Sequence, residues 1–356
     1  MNTPLSVPYS AIPGRGANVN PPNRFERLHV EADPDCPPEE RPHPRTEFFH
    51  DATESLLTKN NSPDVGFMYG LNSYRGCEHG CAYCYARPFH EYLGWSSGLD
   101  FETRIMVKTR APELLRRELS AKRWQAQPIA MSGVTDCYQP AERQFKLTRA
   151  CLEVCAELRH PIFIITKNAL VTRDIDVLTE LARFQCVAVH VSVTTLDTDL
   201  GGKMEPRASR PNARLQAIEE LTNAGIPVGV MVAPVIPGLT DHEMPAILEA
   251  AAAAGAKRAG YVLLRLPHAV KEVFTQWLED HEPGKKARIL DRLRTLSGGK
   301  LYSGDWGRRM TGEGIFAEQL STLFDVSCRR AGLNCDSFSL STEHFRKPGE
   351  QLRLFS

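Results

Sequence analysis

The feature that most constrains the fold is an alternation of short apolar runs with longer helical stretches. The strand-like runs are Gly70–Tyr74, Ile129–Gly133, Ile162–Thr166, Ala188–Val193, Val228–Ala233 and Ala259–Leu264. The helical stretches between them are Gln144–Leu158, Asp174–Phe184, Asn212–Ala224 and Asp241–Ala254. Strands that alternate with helices predict an α/β fold with a parallel sheet built from right-handed βαβ units. Both a doubly wound sheet and a partial TIM-like barrel fit this alternation.

The two ends of the chain differ from this middle part, residues 61–266. Residues 1–60 are rich in Pro, Asn and charged residues without apolar periodicity, which predicts an irregular N-terminal arm. Helical stretches at Val270–Asp280, Lys285–Leu296 and Ile315–Ala331 predict a C-terminal helical extension over residues 267–345. Residues 346–356 form a predicted flexible tail. Within the middle part, Asp174 and Asn212 are candidate helix N-caps, and Gly225 follows a helix end.

Composition narrows the class of protein. Lys and Arg equal Asp and Glu at 43 each, so the global charge does not indicate a nucleic-acid partner, although a local basic groove remains compatible with it. No apolar run approaches the ~20 residues of a membrane-spanning helix, and the N-terminus lacks the signal-peptide pattern. Three of the ten cysteines crowd together at metal-ligand spacing, which favours reduced thiols and a cytoplasmic protein.

Cys77, Cys81 and Cys84 form a Cys-x3-Cys-x2-Cys motif, with Gly76 and Gly80 available for a tight loop. A fully ligated [4Fe–4S] cluster takes four cysteines, so three thiolates predict a cluster with one iron left open for a substrate or cofactor. His79 is a possible fourth ligand. A zinc site made by the three cysteines and His79 is the structural alternative, but zinc loops usually supply two separated ligand pairs.

This motif, directly after the first strand, resembles the radical S-adenosylmethionine (SAM) superfamily over residues 67–266. The segments NSYRGCEHGCAYCYARPFHEYLG, SGVTDCYQPAE, ITKN and EPRASRP are most similar to bacterial proteins grouped with spore photoproduct lyase and called SplB-like. The resemblance implies a partial (β/α)6 barrel with the cluster at the carboxyl ends of the strands. It also implies that the open iron chelates SAM, and that one electron then yields a 5′-deoxyadenosyl radical that abstracts hydrogen from a substrate.

The resemblance implies roles for polar residues near the cofactor. Tyr83 is expected on the adenine side of SAM, and Ile236 belongs to a stretch expected to line the adenine pocket. Gly133, Thr135 and Asp136 replace the Gly-Gly-Glu motif of many members; Asp136 is expected to bind the SAM ammonium and Thr135 its carboxylate. Lys167, Ser192 and Thr194 are the remaining candidates for carboxylate or ribose contacts, and the alternative for each is a satisfied polar residue where a strand meets a loop. Arg207 and Arg210 are candidates for binding the SAM carboxylate or an anionic substrate, and the alternative for them is an ordinary surface arginine.

Cys137 and Tyr138 are candidate hydrogen donors to a substrate radical, because they follow Asp136 at the predicted mouth of the barrel. Spore photoproduct lyase uses a cysteine near this motif, but there the cysteine precedes the Ser-Asp pair. A small buried hydrophobic residue is the alternative interpretation of Cys137. Cys151 and Cys155, spaced i,i+4 in an apolar helix, are expected in the core.

Two segments suggest macromolecular partners. Residues 104–123 carry a basic stripe that would suit DNA phosphates, although a solvated helix face is the commoner explanation. Gln351, Leu352, Leu354 and Phe355 resemble the peptide by which bacterial repair proteins dock on the sliding clamp, and an apolar terminal strip folded onto the barrel is the alternative. A flavodoxin- or ferredoxin-type reductant is expected as electron donor.

These features predict a radical SAM enzyme, with DNA repair as one candidate role. Modification of RNA, a peptide or a small molecule is the alternative role. A non-enzymatic metal-binding or adaptor protein is the alternative of another class.

Overall fold

The computed structural model describes residues 12–26 and 44–348. Its strands are β1 (Glu47–His50), β2 (Leu57–Lys59), β3 (Tyr69–Leu71), β4 (Tyr74–Arg75), β5 (Arg104–Val107), β6 (Ile129–Met131), β7 (Ile162–Thr166), β8 (Val187–Ser192), β9 (Val228–Val235) and β10 (Arg258–Leu263). Its α-helices are α1 (Asp100–Thr103), α2 (Ala111–Leu119), α3 (Glu142–Phe145), α4 (Leu147–Leu158), α5 (Ile175–Ala182), α6 (Thr198–Met204), α7 (Pro211–Asn223), α8 (Met244–Ala253), α9 (Val270–His281), α10 (Pro283–Leu296) and α11 (Ile315–Ala331). Short 3-10 helices lie at Arg87–Leu93, Ala169–Asp174 and Asp241–Glu243.

The strand order settles the architecture. In the seven-stranded sheet, β3, β6, β7, β8, β9 and β10 lie side by side in chain order, and each neighbouring pair is parallel. A doubly wound sheet would reverse direction at a switch point, whereas a barrel winds continuously in one direction. The prediction of a partial six-stranded barrel is therefore confirmed, and the doubly wound alternative is wrong. β2 pairs antiparallel with β3 and covers that edge.

The two faces of the sheet differ in exposure. Residues such as Ile164, Val189 and Val230 are fully buried against the surrounding helices. On the opposite face, His190 and Met231 are only partly buried. The concave interior is thus reachable by solvent, as expected for a barrel that admits a ligand. Helix α11 contributes to the same core as α8, so the predicted extension packs directly on the barrel.

The C-terminal segment lies across the amino ends of the strands. Asn334 N donates to Lys257 O at 3.0 Å, Ser341 N to Gln185 O at 2.9 Å, and Arg346 N to Leu158 O at 3.0 Å. These three acceptors precede β10, β8 and β7 respectively, so the segment covers this end of the barrel. The carboxyl ends of the strands remain the side for a functional site.

Several local predictions need correction. The predicted strand Gly70–Tyr74 divides into β3 and β4, which belong to different sheets. Asn212 lies inside α7, which begins at Pro211. Asp174 precedes α5 but makes no side-chain cap, because its carboxylate contacts other partners. Gly225 has the positive φ (78°) expected just after a helix end.

The described part of the N-terminal arm contains regular structure that the sequence did not predict. It contains β1 and β2, and β1 pairs with β5 in a small three-stranded sheet. Ala17 and Val19 are buried, at 2% and 3% exposure, although no apolar period marks this segment. Within the described residues, no helix has the length and apolar character needed to cross a membrane.

Candidate active site at the cysteine loop

The three motif cysteines lie on one loop between β4 and the 3-10 helix Arg87–Leu93. Gly76 and Gly80 both have positive φ, 80° and 67°, as the tight loop requires. A side chain at Gly80 would place its Cβ 2.6 Å from Glu102 Oε2. Cys77 and Cys81 are buried, Cys84 is partly exposed, and all three are free thiols. The loop therefore presents three unoxidised sulfur donors, with Cys84 the most accessible.

The donor set fits a multi-iron cluster better than a single ion. His79 Nδ1 lies 3.4 Å from Asp136 Oδ2, and its Nε2 lies 3.1 Å from Asn168 Nδ2. Both ring nitrogens are thus engaged, which argues against His79 as a ligand. No group of three or more His, Cys, Asp or Glu in the described ranges could hold one metal ion, as the zinc alternative would require. A [4Fe–4S] cube instead takes each thiolate on a different iron, so its ligands need not converge on one point.

Asp136 ties the cysteine loop to two strand ends. Its Oδ1 accepts hydrogen bonds from Thr166 Oγ1 (2.7 Å) and Tyr138 N (2.8 Å), while Oδ2 accepts from Lys167 N at 2.8 Å. Burial works to raise the pKa of Asp136, but His79 and these hydrogen bonds lower it to about 2. These contacts make Asp136 a positioning residue for the loop, and its expected contact with the SAM ammonium stays a prediction.

Thr135 has a similar bracing role. Its hydroxyl donates to Gly76 O at 2.6 Å and accepts from Gln139 Nε2 at 2.8 Å, while the expected contact of Thr135 with the SAM carboxylate stays a prediction. Gln139 Oε1 also accepts from Glu78 N at 2.9 Å. Sequence reasoning missed Gln139, since nothing in its local pattern marks it.

Tyr83 belongs to a buried polar network that the sequence only partly revealed. Its hydroxyl donates to Glu205 and lies 3.3 Å from Thr194 Oγ1. Thr194 Oγ1 donates to Glu205 Oε1 at 2.7 Å, and Glu205 pairs with the buried Arg214. Arg214 Nη1 donates to Ser192 O at 3.0 Å. Glu205 is the first residue of the EPRASRP segment. Its ion pair is with Arg214, nine positions later in the chain, so the sequence segment alone did not indicate it.

Several predicted cofactor residues do lie together. Lys167 Nζ donates to Ala233 O at 2.9 Å and lies 6.0 Å from the centroid of the Tyr83 ring. Ile236 is fully buried in the same apolar cluster as Tyr83. A Cβ added at Gly133 would meet no atom within 4 Å, and Gly133 O accepts a hydrogen bond from the hydroxyl of Tyr85, the residue after Cys84. The strand ends thus combine a cation, an aromatic ring and open space beside the cysteine loop.

The two arginines of EPRASRP contact protein groups. Arg207 Nη1 lies 2.9 Å from Glu78 Oε1 and donates to Thr46 Oγ1 at 3.1 Å, so it links the cysteine loop to the N-terminal arm. Arg210 is exposed and its Nη1 donates to Thr198 O at 2.9 Å. The expectation that these arginines bind the SAM carboxylate or an anionic substrate stays a prediction.

Neither candidate hydrogen donor faces the site. Cys137 is 2% exposed and belongs to the main apolar core with Cys151 and Cys155. Tyr138 is fully buried, and its hydroxyl donates to Asp174 Oδ2 at 3.1 Å, next to α5. The interpretation of Cys137 as a small buried hydrophobic residue is the one that the structure supports.

The sequence matches the family described as the radical SAM superfamily over residues 71–251. An uncharacterized protein of Mycobacterium tuberculosis (strain ATCC 25618 / H37Rv) is 37% identical over 252 residues, which is 70% of this chain and 73% of that protein. A radical SAM Nalpha-GlyT isomerase of Pseudomonas phage M6 is 30% identical over 168 residues, 47% of this chain and 33% of the isomerase.

Among solved structures, a spore photoproduct lyase variant with bound AdoMet and dinucleoside spore photoproduct has a TM-score of 0.56. Its identity is 16%, and the match covers 80% of each chain. At that identity the similarity establishes the fold, a partial barrel of the kind described above.

Proposed function

The chain belongs to the radical SAM superfamily, whose members use a [4Fe–4S] cluster and SAM, and from that premise we propose that Cys77, Cys81 and Cys84 hold the cluster. It is a radical SAM enzyme. When bound, the reduced cluster and SAM supply a 5′-deoxyadenosyl radical that abstracts hydrogen from the substrate.

The observation that carries this proposal is the fixation of the cysteine loop from several strand ends. Asp136 holds it through His79, Thr135 through the Gly76 carbonyl at 2.6 Å, and Glu205 through Tyr83. Such bracing keeps three thiols in one arrangement without the metal, which lowers the ordering cost of binding it. Lys167 and the open space at Gly133 lie beside the loop, where an anionic cofactor group would be neutralised.

The test is anaerobic reconstitution of the full chain with iron and sulfide, followed by dithionite and SAM. We expect 5′-deoxyadenosine from the wild type and none from Cys81→Ala, with Cys155→Ala as a matched core-cysteine control. A reconstituted chain with an intact cluster that never cleaves SAM would reject the enzymatic proposal. It would favour the metal-binding or adaptor alternative.

For the substrate, we propose DNA, in a repair role of the SplB-like kind. Two exposed aromatic rings that each lie against a partly buried arginine support it: Arg265 lies 4.5 Å over the Tyr85 ring, and Arg309, which also pairs with Asp64, lies 4.1 Å over the Trp306 ring. Tyr85 directly follows Cys84, and Trp306 is 56% exposed. Stacking surfaces interleaved with guanidinium groups suit single-stranded nucleic acid. The related lyase is described with a bound dinucleoside photoproduct.

The basic stripe at residues 104–123 adds no support. Lys108 is buried, Arg110 pairs with Glu113 at 2.7 Å, and Arg116 pairs with Glu157. These cations are largely engaged within the protein.

Deuterium transfer into 5′-deoxyadenosine from deuterated, ultraviolet-irradiated DNA tests the substrate. Transfer from RNA, peptide or small-molecule substrates alone would favour the alternative. Binding of single-stranded DNA should fall about tenfold in Trp306→Ala, since one base stack contributes ~1–3 kcal/mol. Arg183→Ala, at the exposed residue that follows α5, is the control.

For the electron donor, we propose docking of a flavodoxin- or ferredoxin-type protein on an aromatic patch made by Phe25, Phe89 and Tyr92. The patch residues are 55%, 50% and 68% exposed, and Phe25 stacks on Tyr92 at 4.9 Å. Phe89 and Tyr92 lie on the 3-10 helix that begins three residues after Cys84, at the end of the cysteine loop. Such a partner and reduced thiols suit a cytoplasmic enzyme.

Dithionite reduces a cluster without a docking surface. Comparing reduction by dithionite with reduction by a protein therefore tests the aromatic patch. Tyr92→Asp should slow cluster reduction by a ferredoxin-type protein and leave reduction by dithionite unchanged. Phe338→Asp, at the opposite end of the barrel, is the control. Equal reduction rates for wild type and Tyr92→Asp would reject the patch.

The proposed clamp contact of Gln351, Leu352, Leu354 and Phe355 lies outside the described residues. Its support is the sequence motif. Deleting residues 350–356 should abolish binding to purified sliding clamp; unchanged binding, or none from the intact chain, would reject it.

A further inference from the structure

We propose that residues 15–20, which we call the strap, position the cluster-binding loop by acting on Cys81 through Glu102 and Arg87. This inference rests on the proposed cluster site at the three cysteines. It assigns a task to a segment that contains no cysteine and lies about 60 positions before the motif.

The strap touches the loop backbone directly. A Cβ at Gly16 would lie 1.7 Å from Gly80 O and 3.1 Å from Ala82 N. Gly80 and Ala82 flank Cys81, so the strap packs against the main chain on both sides of that cysteine. Any side chain at Gly16 must displace either the strap or the loop.

Glu102 connects the strap to a second buried charge. Its carboxylate accepts hydrogen bonds from Gly16 N (3.1 Å), Ala17 N (2.8 Å) and Arg87 Nη2 (2.5 Å). The Glu102 and Arg87 side chains are both completely buried. A buried ion pair persists only where its remaining polar atoms are also satisfied, and the strap amides provide two of those contacts.

Arg87 carries the connection to the cysteine. Its Nε and Nη2 donate to Cys81 O at 3.0 and 2.8 Å, and its Nη1 donates to Gly98 O at 2.8 Å. A continuous set of hydrogen bonds therefore runs from the strap amides through Glu102 and Arg87 to the Cys81 carbonyl. Lifting the strap would leave the Glu102 carboxylate short of two donors inside the protein.

The far side of the strap is anchored to other elements. Val19 O accepts from Leu99 N at 3.0 Å, just before α1, and Asn18 Nδ2 donates to Asp280 Oδ2 on α9 at 2.5 Å. Ala17 and Val19 pack with Val273 of α9. The strap is held between the loop and the C-terminal helices, so it transmits their position to Cys81.

The decisive variant is Gly16→Ala, with Gly284→Ala as control because a Cβ at Gly284 meets no atom within 4 Å. We measure iron and sulfide per chain after anaerobic reconstitution, and the electron paramagnetic resonance spectrum after dithionite reduction. Circular dichroism melts of the metal-free chains report folding. We expect at least a twofold loss of iron, or altered g-values, in Gly16→Ala and wild-type behaviour in Gly284→Ala.

Glu102→Gln keeps the side-chain shape while it replaces one acceptor oxygen with a donor, so it serves as the second variant if Gly16→Ala fails to fold. We expect faster iron loss to a chelator and a shifted reduction potential. Wild-type iron content, g-values and potential in a folded variant would overturn the inference. A wild-type chain that binds no cluster would instead overturn the proposed function, and the strap's cluster role with it.

Discussion

Glu205 and Arg214 form an ion pair whose side chains are 1% and 2% exposed, within the network that holds Tyr83 and Thr194. Arg214 lies on α7, Glu205 follows α6, and Tyr83 lies on the cysteine loop. The pair therefore fastens two helices of the barrel to the proposed cofactor site. Because neither charge can turn to solvent, each depends on the other.

Glu205→Gln should destabilise the metal-free protein by about 3–5 kcal/mol, because it leaves the buried Arg214 cation without its counter-charge. Urea denaturation followed by circular dichroism measures the change. Glu219→Gln, exposed on α7, should stay within about 0.5 kcal/mol of wild type. Equal effects of the two substitutions would contradict the assigned role of the pair.

The same pair predicts a pH dependence. Burial works to raise the pKa of Glu205, but Arg214 and Lys167 lower it to about 2. An unfolded Glu titrates near ~4.3, so the stabilisation is full above that pH and is lost as the pH falls toward the folded value. The difference in unfolding free energy between wild type and Glu205→Gln should thus shrink between about pH 6 and pH 3. A difference that stays constant over this range would refute the assignment.

Thr135→Val should weaken the cysteine loop, because the Gly76 carbonyl loses the hydroxyl that donates to it at 2.6 Å. Gln139 Nε2 still reaches that oxygen at 3.2 Å, so we expect a loss near the lower end of the ~1–3 kcal/mol range for an unsatisfied buried group. Chelator-driven iron release should be faster in Thr135→Val than in Thr135→Ser, which keeps the hydroxyl. Identical release rates would argue against the bracing role.

The sequence-based predictions succeeded for features that depend on residues close together in the sequence. The thiols were predictable because Cys77, Cys81 and Cys84 are close in sequence, and the helix at Ile315–Ala331 because its periodicity is local. The choice between a doubly wound sheet and a partial barrel could not be predicted from periodicity, because periodicity does not encode the spatial order of strands.

Contacts between residues distant in sequence were not predictable. The positioning role of Asp136 depends on Thr166 and His79, which only folding brings near. The sequence did not predict an ordered strap, because backbone amides and Gly16, rather than a periodic pattern of apolar residues, hold it in place.

Cys137→Ala tests the correction to the hydrogen-donor prediction. Since the thiol lies in the apolar core, the substitution should reduce stability by roughly 1–2 kcal/mol and leave 5′-deoxyadenosine formation and product yield intact. Cys151→Ala, in the same core, should behave alike. Retained stability combined with loss of product, while SAM cleavage continues, would reinstate Cys137 as a hydrogen donor.

Gly133→Leu tests where SAM binds. No atom lies within 4 Å of a Cβ at Gly133, and its φ is not in the left-handed region, so leucine is tolerated without backbone strain. The leucine side chain would occupy the open space just after β6, which we assign to the cofactor. We expect SAM affinity to fall at least about tenfold, which corresponds to ~1.4 kcal/mol, while iron content stays at the wild-type level.

Equilibrium dialysis with labelled SAM measures the affinity, and Gly66→Leu, also with no neighbour within 4 Å, is the control. If Gly133→Leu binds SAM as tightly as the control does, the cofactor lies elsewhere on the carboxyl ends of the strands, and Lys167 loses its assigned contact with it.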